Sequence, residues 1–188
     1  MSLLDSILGR SKPIRPKTDE LFGISTGAIT MQTELDLTPT GAGAITFRPV
    51  SAGDFRQLER DIQLLLDRST RDSPLQWRTE TDSFGYEWMI LNAAEFENVV
   101  ATIHMIGRQL QDSGYGPQLL AAVFQFKGPH GNAYWMYNYK RGSFYPFVPS
   151  GPNTRDNAEE IRLSAVMGGE MNVERDLTKW YPLWGIPL

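Results

Sequence analysis

The side chains best suited to chemistry in this sequence are its two histidines. The 188-residue chain contains His104, His130 and no cysteine. His104 falls in a segment with helical periodicity and His130 in a turn, so a metal site would need the fold to join them with a carboxylate. Structural zinc sites normally show closely spaced ligand pairs, and without cysteine there is no thiolate ligand, disulfide or cysteine nucleophile. We interpret both as ordinary histidines and predict no metal and no cofactor.

Carboxylates near the C-terminus are the second set of residues that could do chemistry. The glutamates concerned are Glu159, Glu160, Glu170 and Glu174. A paired-carboxylate site would require two of them to converge in a cleft, but arginines are interspersed among them, which favours a solvated surface of mixed charge. The motifs of serine hydrolases, zinc proteases and zinc deaminases do not occur. The sequence therefore predicts that the protein is not an enzyme.

Composition limits the classes of partner. The formal net charge is -4 and the sequence pI is near 5.2, which argues against electrostatic binding to nucleic acid. No apolar run approaches the ~20 residues of a transmembrane helix, and the N-terminus does not resemble a secretory signal. We predict a cytoplasmic protein. A peripheral position at the inner face of the membrane stays open, because residues 1–12 include a short amphipathic segment with basic residues close behind it.

Aromatic residues are concentrated in two stretches. Leu119–Val148 reads as a meander of three antiparallel strands, and its middle strand places Trp135, Tyr137 and Tyr139 on one face. The C-terminal tail, residues 177–188, carries Trp180, Tyr181 and Trp184 in a segment broken by prolines. We predict these six rings as candidate partner-binding residues. The alternatives are that the strand rings pack in the core or against a second subunit, and that the tail packs back on its own domain.

The elements that must position these residues define an α+β fold. The sequence predicts two hairpins and the meander in antiparallel sheet, with helices packed on one face. The first hairpin combines Gly27–Leu37 with Ala44–Val50, and the second combines Leu75–Glu80 with Tyr86–Leu91. Predicted helices begin at the caps Ser51, Asn92 and either Asn153 or Thr154, and the last one runs over Asp156–Met167. The helix after Asn92 has a predicted apolar stripe of Phe96, Val99, Val100, Ile103, Ile106 and Leu110. The predicted apolar side of the last helix consists of Ile161, Leu163, Ala165 and Val166.

The predicted domain organisation has three parts. Residues 1–17 form an amphipathic helix and a proline-containing linker, residues 18–176 a single α+β domain, and residues 177–188 an aromatic tail. The N-terminal helix either docks on the domain or contacts a membrane or partner. About two helical turns bury too little apolar area to hold a membrane alone, which favours docking.

Three segments carry a resemblance to a known family. They are MSLLDSILGRSKP at 1–13, HMIGRQLQDSGYGPQLLAAVFQF at 104–126 and DLTKWYPLWGIP at 176–187. Together they resemble the PspA-associated protein family, PspAB. The resemblance implies an accessory protein of the phage-shock envelope-stress response, associated with a PspA-type protein and often with an HtpX-type membrane protease. It implies no catalytic residue.

A second similarity concerns architecture alone. The order of hairpins and helices is similar to YbjN and type III secretion chaperone-like folds, which bind partner segments. We therefore expect an adaptor or chaperone-like protein that acts through protein-protein contacts, with a homodimer left open. The alternative is a small-ligand-binding or enzymatic domain with a pocket between sheet and helices.

Overall fold

The computed structural model describes residues 17–49, 51–69 and 75–188. The helix and linker predicted in the first 16 residues lie outside the described residues. Four helices are described: α1 (Gly23–Glu34), α2 (Ala52–Ser69), α3 (Phe96–Leu110) and α4 (Asn157–Met167). Short 3₁₀ turns cover Asp19–Phe22, Gly116–Gln118 and Leu177–Lys179, and a π turn covers Gln111–Tyr115.

Six of the described strands form one antiparallel sheet. They are β1 (Thr38–Phe47), β2 (Leu75–Thr81), β3 (Glu87–Ala93), β4 (Leu119–Gly128), β5 (Gly131–Asn138) and β6 (Ser143–Phe147). Their order across the sheet is β2-β3-β1-β4-β5-β6. Two short strands, β7 (Pro149–Gly151) and β8 (Thr154–Arg155), pair separately. The predicted α+β class, the second hairpin and the three-strand meander are confirmed.

The first predicted hairpin is wrong. Most of Gly27–Leu37 belongs to helix α1, and β1 pairs with β3 and β4 instead. The alternation that suggested a strand fails at Ile29, which is 65% exposed. Ile24, Ala28 and Met31 are buried at helical spacing. Gly27 permits the close packing, since a Cβ there would lie 2.9 Å from Met167 Cε.

The start of α3 was also predicted wrongly. Asn92 lies in β3, opposite Ala42 of β1 and Gln76 of β2, and Glu95 occupies the N-cap position of the helix. The predicted apolar stripe of α3 is confirmed, because all of its members are buried: Phe96, Val99, Val100, Ile103, Ile106 and Leu110. At α2 the predicted cap is confirmed, with the Asp54 N–H donating to Ser51 Oγ at 3.3 Å.

The last helix, α4, begins at a different cap from either residue predicted. Asp156 accepts a hydrogen bond from the Glu159 N–H at 3.0 Å, whereas Thr154 lies in β8. Its predicted apolar side is only partly right. Leu163 is fully buried, but Ile161 is 52% exposed and Ala165 is exposed. The charged Glu160 is buried instead, because it has a partner described below.

The two faces of the sheet are covered by different parts of the chain. Alternate strand residues such as Ile45, Met89 and Phe124 pack with α1–α4 in the larger core. The opposite face is also apolar, with Trp88, Ile90, Val123, Tyr134, Met136, Tyr145 and Phe147 in a second cluster. Residues 173–188, which we call the C-terminal strap, cover this second face with Val173, Trp180, Leu183, Trp184, Ile186 and Leu188. The sheet is therefore a middle layer between helices and an extended segment.

Candidate protein-interaction site

The three predicted rings from the meander lie in the interior. Trp135, Tyr137 and Tyr139 are each 0% exposed and belong to the cluster on the helix side of the sheet. The Tyr137 hydroxyl donates to the Lys17 carbonyl oxygen at 2.8 Å, and burial raises the pKa of both tyrosines. Their position agrees with the core-packing alternative, and in this fold they present no surface to a partner.

The three predicted rings of the strap are placed differently from one another. Trp180 is 7% exposed and its Nε1–H donates to the Glu174 carbonyl oxygen at 2.9 Å. Trp184 packs edge-on against Phe147, with ring centroids 5.2 Å apart. Tyr181 is 51% exposed. Two strap rings thus help to hold the strap on the sheet, and Tyr181 is the ring that faces solvent most openly.

Hydrogen bonds fix the strap backbone next to Tyr181. The Tyr145 hydroxyl donates to the Tyr181 carbonyl oxygen at 3.1 Å. Upstream, Phe144 forms a parallel bridge with Val173, in which the Phe144 N–H donates to Asn172 O and the Glu174 N–H to Phe144 O, both at 2.8 Å. The strap therefore starts as an extension of the sheet beside β6, which brings it against the β5–β6 turn.

A groove of about 720 Å³ lies between the β5–β6 turn and the strap. Its charged lining consists of Lys140, Arg141, Glu174, Arg175 and Lys179, and its polar lining includes Asn138, Asn172 and Tyr181. We call it the cationic groove, because its lining contains four cations and one carboxylate.

Glu174, the one carboxylate in the lining of the cationic groove, already accepts hydrogen bonds from donors within the protein. Glu174 is ion-paired with Arg141 and also accepts from the Asp176 N–H at 3.0 Å. The hydrogen bond from Arg141 holds the pKa of Glu174 below its usual value, so Glu174 is charged at neutral pH. Among the described residues, no ion pair joins Lys140, Arg175 or Lys179 to a carboxylate. Asp176 lies beside the lining and interacts electrostatically with Arg141 and Lys179. Four cations therefore face two carboxylates, so the groove is still locally positive on an acidic protein and suits an anionic partner.

Sequence reasoning missed the cationic groove as a unit. Lys140 and Arg141 precede Gly142 in a turn, whereas Arg175 and Lys179 lie more than thirty positions later. Neither segment indicates that these four cations line one groove, because the two segments are brought together by the bridge between Phe144 and Val173.

Three of the four C-terminal glutamates, Glu159, Glu160 and Glu174, form ion pairs with three different arginines. Glu160 is 1% exposed, which overturns its predicted place on a solvated face, and both its carboxylate oxygens accept from Arg155 Nε at 2.8–2.9 Å. Glu159 pairs with Arg162 at 2.7 Å on the surface. In residues 17–49, 51–69 and 75–188, no group of three or more potential ligands is placed to hold a metal.

Two further observations concern the histidine and the membrane predictions. His104 Nε2 lies 2.9 Å from Asp19 Oδ1, and its ring packs against Phe22. No helix within the described part of the chain has the length and apolarity needed to cross a membrane. Two of the cavities in the described part of the chain are bounded by the C-terminal strap.

Fold and groove together define a class of protein: an α+β domain with a strap-covered sheet and a surface groove suited to contact with an anionic partner. The chain belongs to the PspAB family, PspA associated protein B, whose family model matches residues 1–188, the whole chain. No curated relative and no solved structure matches it. The resemblance seen in the sequence is thereby confirmed, while the similarity to YbjN and secretion-chaperone folds stays a prediction.

Proposed function

We propose that this protein is a non-enzymatic accessory protein that binds a PspA-type protein through its cationic groove. Membership of a family named for its association with PspA supports the choice of partner. The observation that carries the choice of surface is the excess of cations at Lys140, Arg141, Arg175 and Lys179 on a chain of net charge -4. An acidic segment of the partner is the occupant that this charge distribution favours.

The charge of the whole chain supports a protein segment over other anions. The net charge of -4 opposes long-range attraction to nucleic acid and to an anionic membrane surface. Lys140 and Arg175 present donors for carboxylates, and the exposed Tyr181 adds a ring of a type enriched at protein interfaces. Binding of this kind combines a small apolar contact with several charge-assisted hydrogen bonds.

The energetics predict a salt-dependent complex. Exposed ion pairs each contribute about 0.2–1 kcal/mol, so ion pairs alone support only weak binding, and contact with Tyr181 must add to it. Screening acts over about 8–10 Å at physiological ionic strength, so affinity should fall as salt rises. This behaviour suits an accessory protein that joins and leaves its partner rather than forming a permanent complex.

The test is calorimetric titration of the full chain with a PspA-type protein from the same host. Lys140→Glu/Arg175→Glu reverses two groove charges at exposed positions and should weaken binding at least tenfold. The matched control is Arg56→Glu/Lys127→Glu, which changes the net charge equally at exposed positions outside the groove lining. Equal affinity of the two double variants would contradict the groove as the contact, and no binding by the unmodified chain would contradict the proposed partner.

The adaptor role, the chaperone-like role and the homodimer can be tested with the same purified proteins. An HtpX-type protease tested as a second titrant distinguishes an adaptor that bridges two proteins from one that binds a PspA-type protein alone. A chaperone-like role predicts that the chain suppresses aggregation of the partner on heating, whereas a simple adaptor leaves aggregation unchanged. Sedimentation of the free chain measures whether a homodimer forms. We place the protein in the cytoplasm, where a PspA-type partner and any peripheral membrane contact would be accessible.

A further inference from the structure

A second cavity lies where the β2–β3 turn meets the end of the C-terminal strap. Its volume is about 210 Å³, and its lining includes Glu80, Asp82, Phe84, Trp88 and Trp184. Gly185 and Pro187 of the strap complete the wall. None of these residues belongs to the cationic groove. Three aromatic rings and two carboxylates therefore line this small cavity.

The aromatic walls differ in depth and are held in place. Trp88 is 3% exposed at the base, and its Nε1–H donates to Asp82 Oδ2 at 2.9 Å. Trp184 is partly buried and fixed by its edge-on contact with Phe147. Phe84 is 78% exposed in the turn. The cavity therefore has two anchored indoles and one accessible phenyl ring.

The charge of the cavity is negative. Although burial opposes it, hydrogen bonds from Trp88 Nε1 and from the N–H groups of Tyr86 and Phe84 hold the pKa of Asp82 below its usual value. Glu80 is paired with Arg78 at 2.8 Å. Arg78 also donates to the Pro187 carbonyl oxygen at 2.9 Å. Within the described part of the chain no ion pair joins Asp82 to a cation, so its charge is stabilised by N–H donors alone.

We propose that this cavity binds an organic cation of the ammonium or guanidinium type. Aromatic rings attract such cations through their negative faces, and a carboxylate beside them adds Coulomb attraction. At about 30 Å³ for each water, the cavity holds a group of roughly seven heavy atoms. Calcium or magnesium fits less well, because these ions need six or more oxygen ligands and Asp82 already accepts three hydrogen bonds.

Binding at this site would stabilise the strap. Trp184, Gly185 and Pro187 belong to the strap, whereas Asp82, Phe84 and Trp88 belong to the β2–β3 hairpin. A ligand that contacts both sides favours the conformation in which they are together. The site is independent of the proposed function, since it uses other residues and the opposite charge.

The test is an NMR titration of the full chain, following the indole N–H signals of its five tryptophans. The probes are choline, N-acetylarginine amide and, as a neutral isostere of choline, 3,3-dimethylbutan-1-ol. We expect saturable shifts of the Trp88 and Trp184 signals with at least one of the two cations and none with the neutral alcohol. No saturable shift with either cation, or an equal response to the alcohol, would overturn the proposal.

Two matched variants test whether the cation binds in this cavity. Phe84→Ala removes one exposed wall and should weaken cation binding roughly 2- to 30-fold, the range of one cation–π contact. Phe22→Ala removes a 43% exposed phenylalanine outside the cavity lining and should leave binding unchanged. Equal affinity in both variants would place the cation elsewhere and refute the site. Phosphatidylcholine vesicles and a peptide containing trimethyllysine then show whether the cation belongs to a lipid or to a protein.

Discussion

Arg155 donates a hydrogen bond of 2.8 Å from Nη1 to the carbonyl oxygen of Trp180. The same guanidinium bonds both carboxylate oxygens of Glu160 and lies 5.3 Å from the centre of the Phe147 ring. Glu160 in turn accepts from the Val148 N–H at 2.8 Å. One arginine thus joins helix α4, the end of β6 and the strap, and its loss should affect all three.

Arg155→Leu should lower the free energy of unfolding by about 3–5 kcal/mol. The substitution leaves the Glu160 carboxylate buried without a cation, and an uncompensated buried charge has that cost. Urea denaturation measures the change. Arg162→Leu is the control, since its pair with Glu159 is surface-exposed and should contribute no more than about 1 kcal/mol. Equal losses in the two variants would mean that Arg155 is not an anchor.

Trp180→Ala should destabilise the protein by about 3–5 kcal/mol and loosen the strap. The indole is 7% exposed, packs in the second cluster and donates to the Glu174 carbonyl oxygen. Increased fluorescence of a hydrophobic dye should accompany the loss, since the second face of the sheet becomes accessible. Tyr181→Ala, at a 51% exposed position, should change stability by about 0.5 kcal/mol or less. A strap that stays bound in Trp180→Ala would contradict this account.

Tyr139→Phe and Tyr137→Phe should have different effects on stability. The Tyr139 hydroxyl is buried with no hydrogen-bond partner among the described residues, so removing it should be neutral or stabilise the fold by about 1–3 kcal/mol. The Tyr137 hydroxyl donates to Lys17 O, and its removal should cost about 1 kcal/mol. Thermal unfolding of the pair measures the difference. A loss in Tyr139→Phe as large as that in Tyr137→Phe would indicate that Tyr139 has a partner.

The Arg141–Glu174 pair should make stability depend on acid pH. The folded-state pKa of Glu174 lies below its ordinary value of 4.5, so its contribution is fully present above that pH and declines as pH falls through the lower folded value. Glu174→Gln should flatten this part of the stability profile. Arg141→Gln should do the same, because the Arg141 hydrogen bond is the main cause of the shift. Unchanged acid profiles in both variants would remove the pair as a source of acid sensitivity.

The parts of the fold that the sequence predicted are those in which one periodicity is unambiguous. Helix α3 repeats apolar residues every three or four positions, and all six of its predicted core residues are buried. The meander alternates between faces and has glycines at both of its turns. In both elements the residues that the periodicity places on one face lie on one face in the structure. The local sequence pattern was therefore sufficient to predict them.

The first hairpin failed because Gly27–Leu37 fits two periodicities. Ile29 and Met31 alternate as a strand would require, but Ile24, Ala28 and Met31 also share one helical face. The helix is favoured over the strand because α1 packs against α4, where Gly27 lies close to Met167. That contact joins segments 140 positions apart in the sequence, and no local pattern contains it.

The candidate site was only partly predictable, for a related reason. The strap rings were identified because exposed tryptophans in a proline-broken segment need a surface to cover them. The meander rings were identified by the same aromatic criterion, but Trp135 and Tyr137 lie on the helix side and are buried. Which face of a doubly apolar sheet receives the helices is a tertiary property. The position of Lys140 relative to Arg175 follows from that arrangement as well.

The strap has a consequence for how the protein is made. Residues 173–188 leave the ribosome after all six strands of the sheet, so a nascent chain can assemble its helix side while Trp88, Ile90 and Met136 still lack their cover. A product truncated before the strap would leave the apolar second face of the sheet exposed. The second face of the sheet can therefore be covered only after the strap has been synthesised.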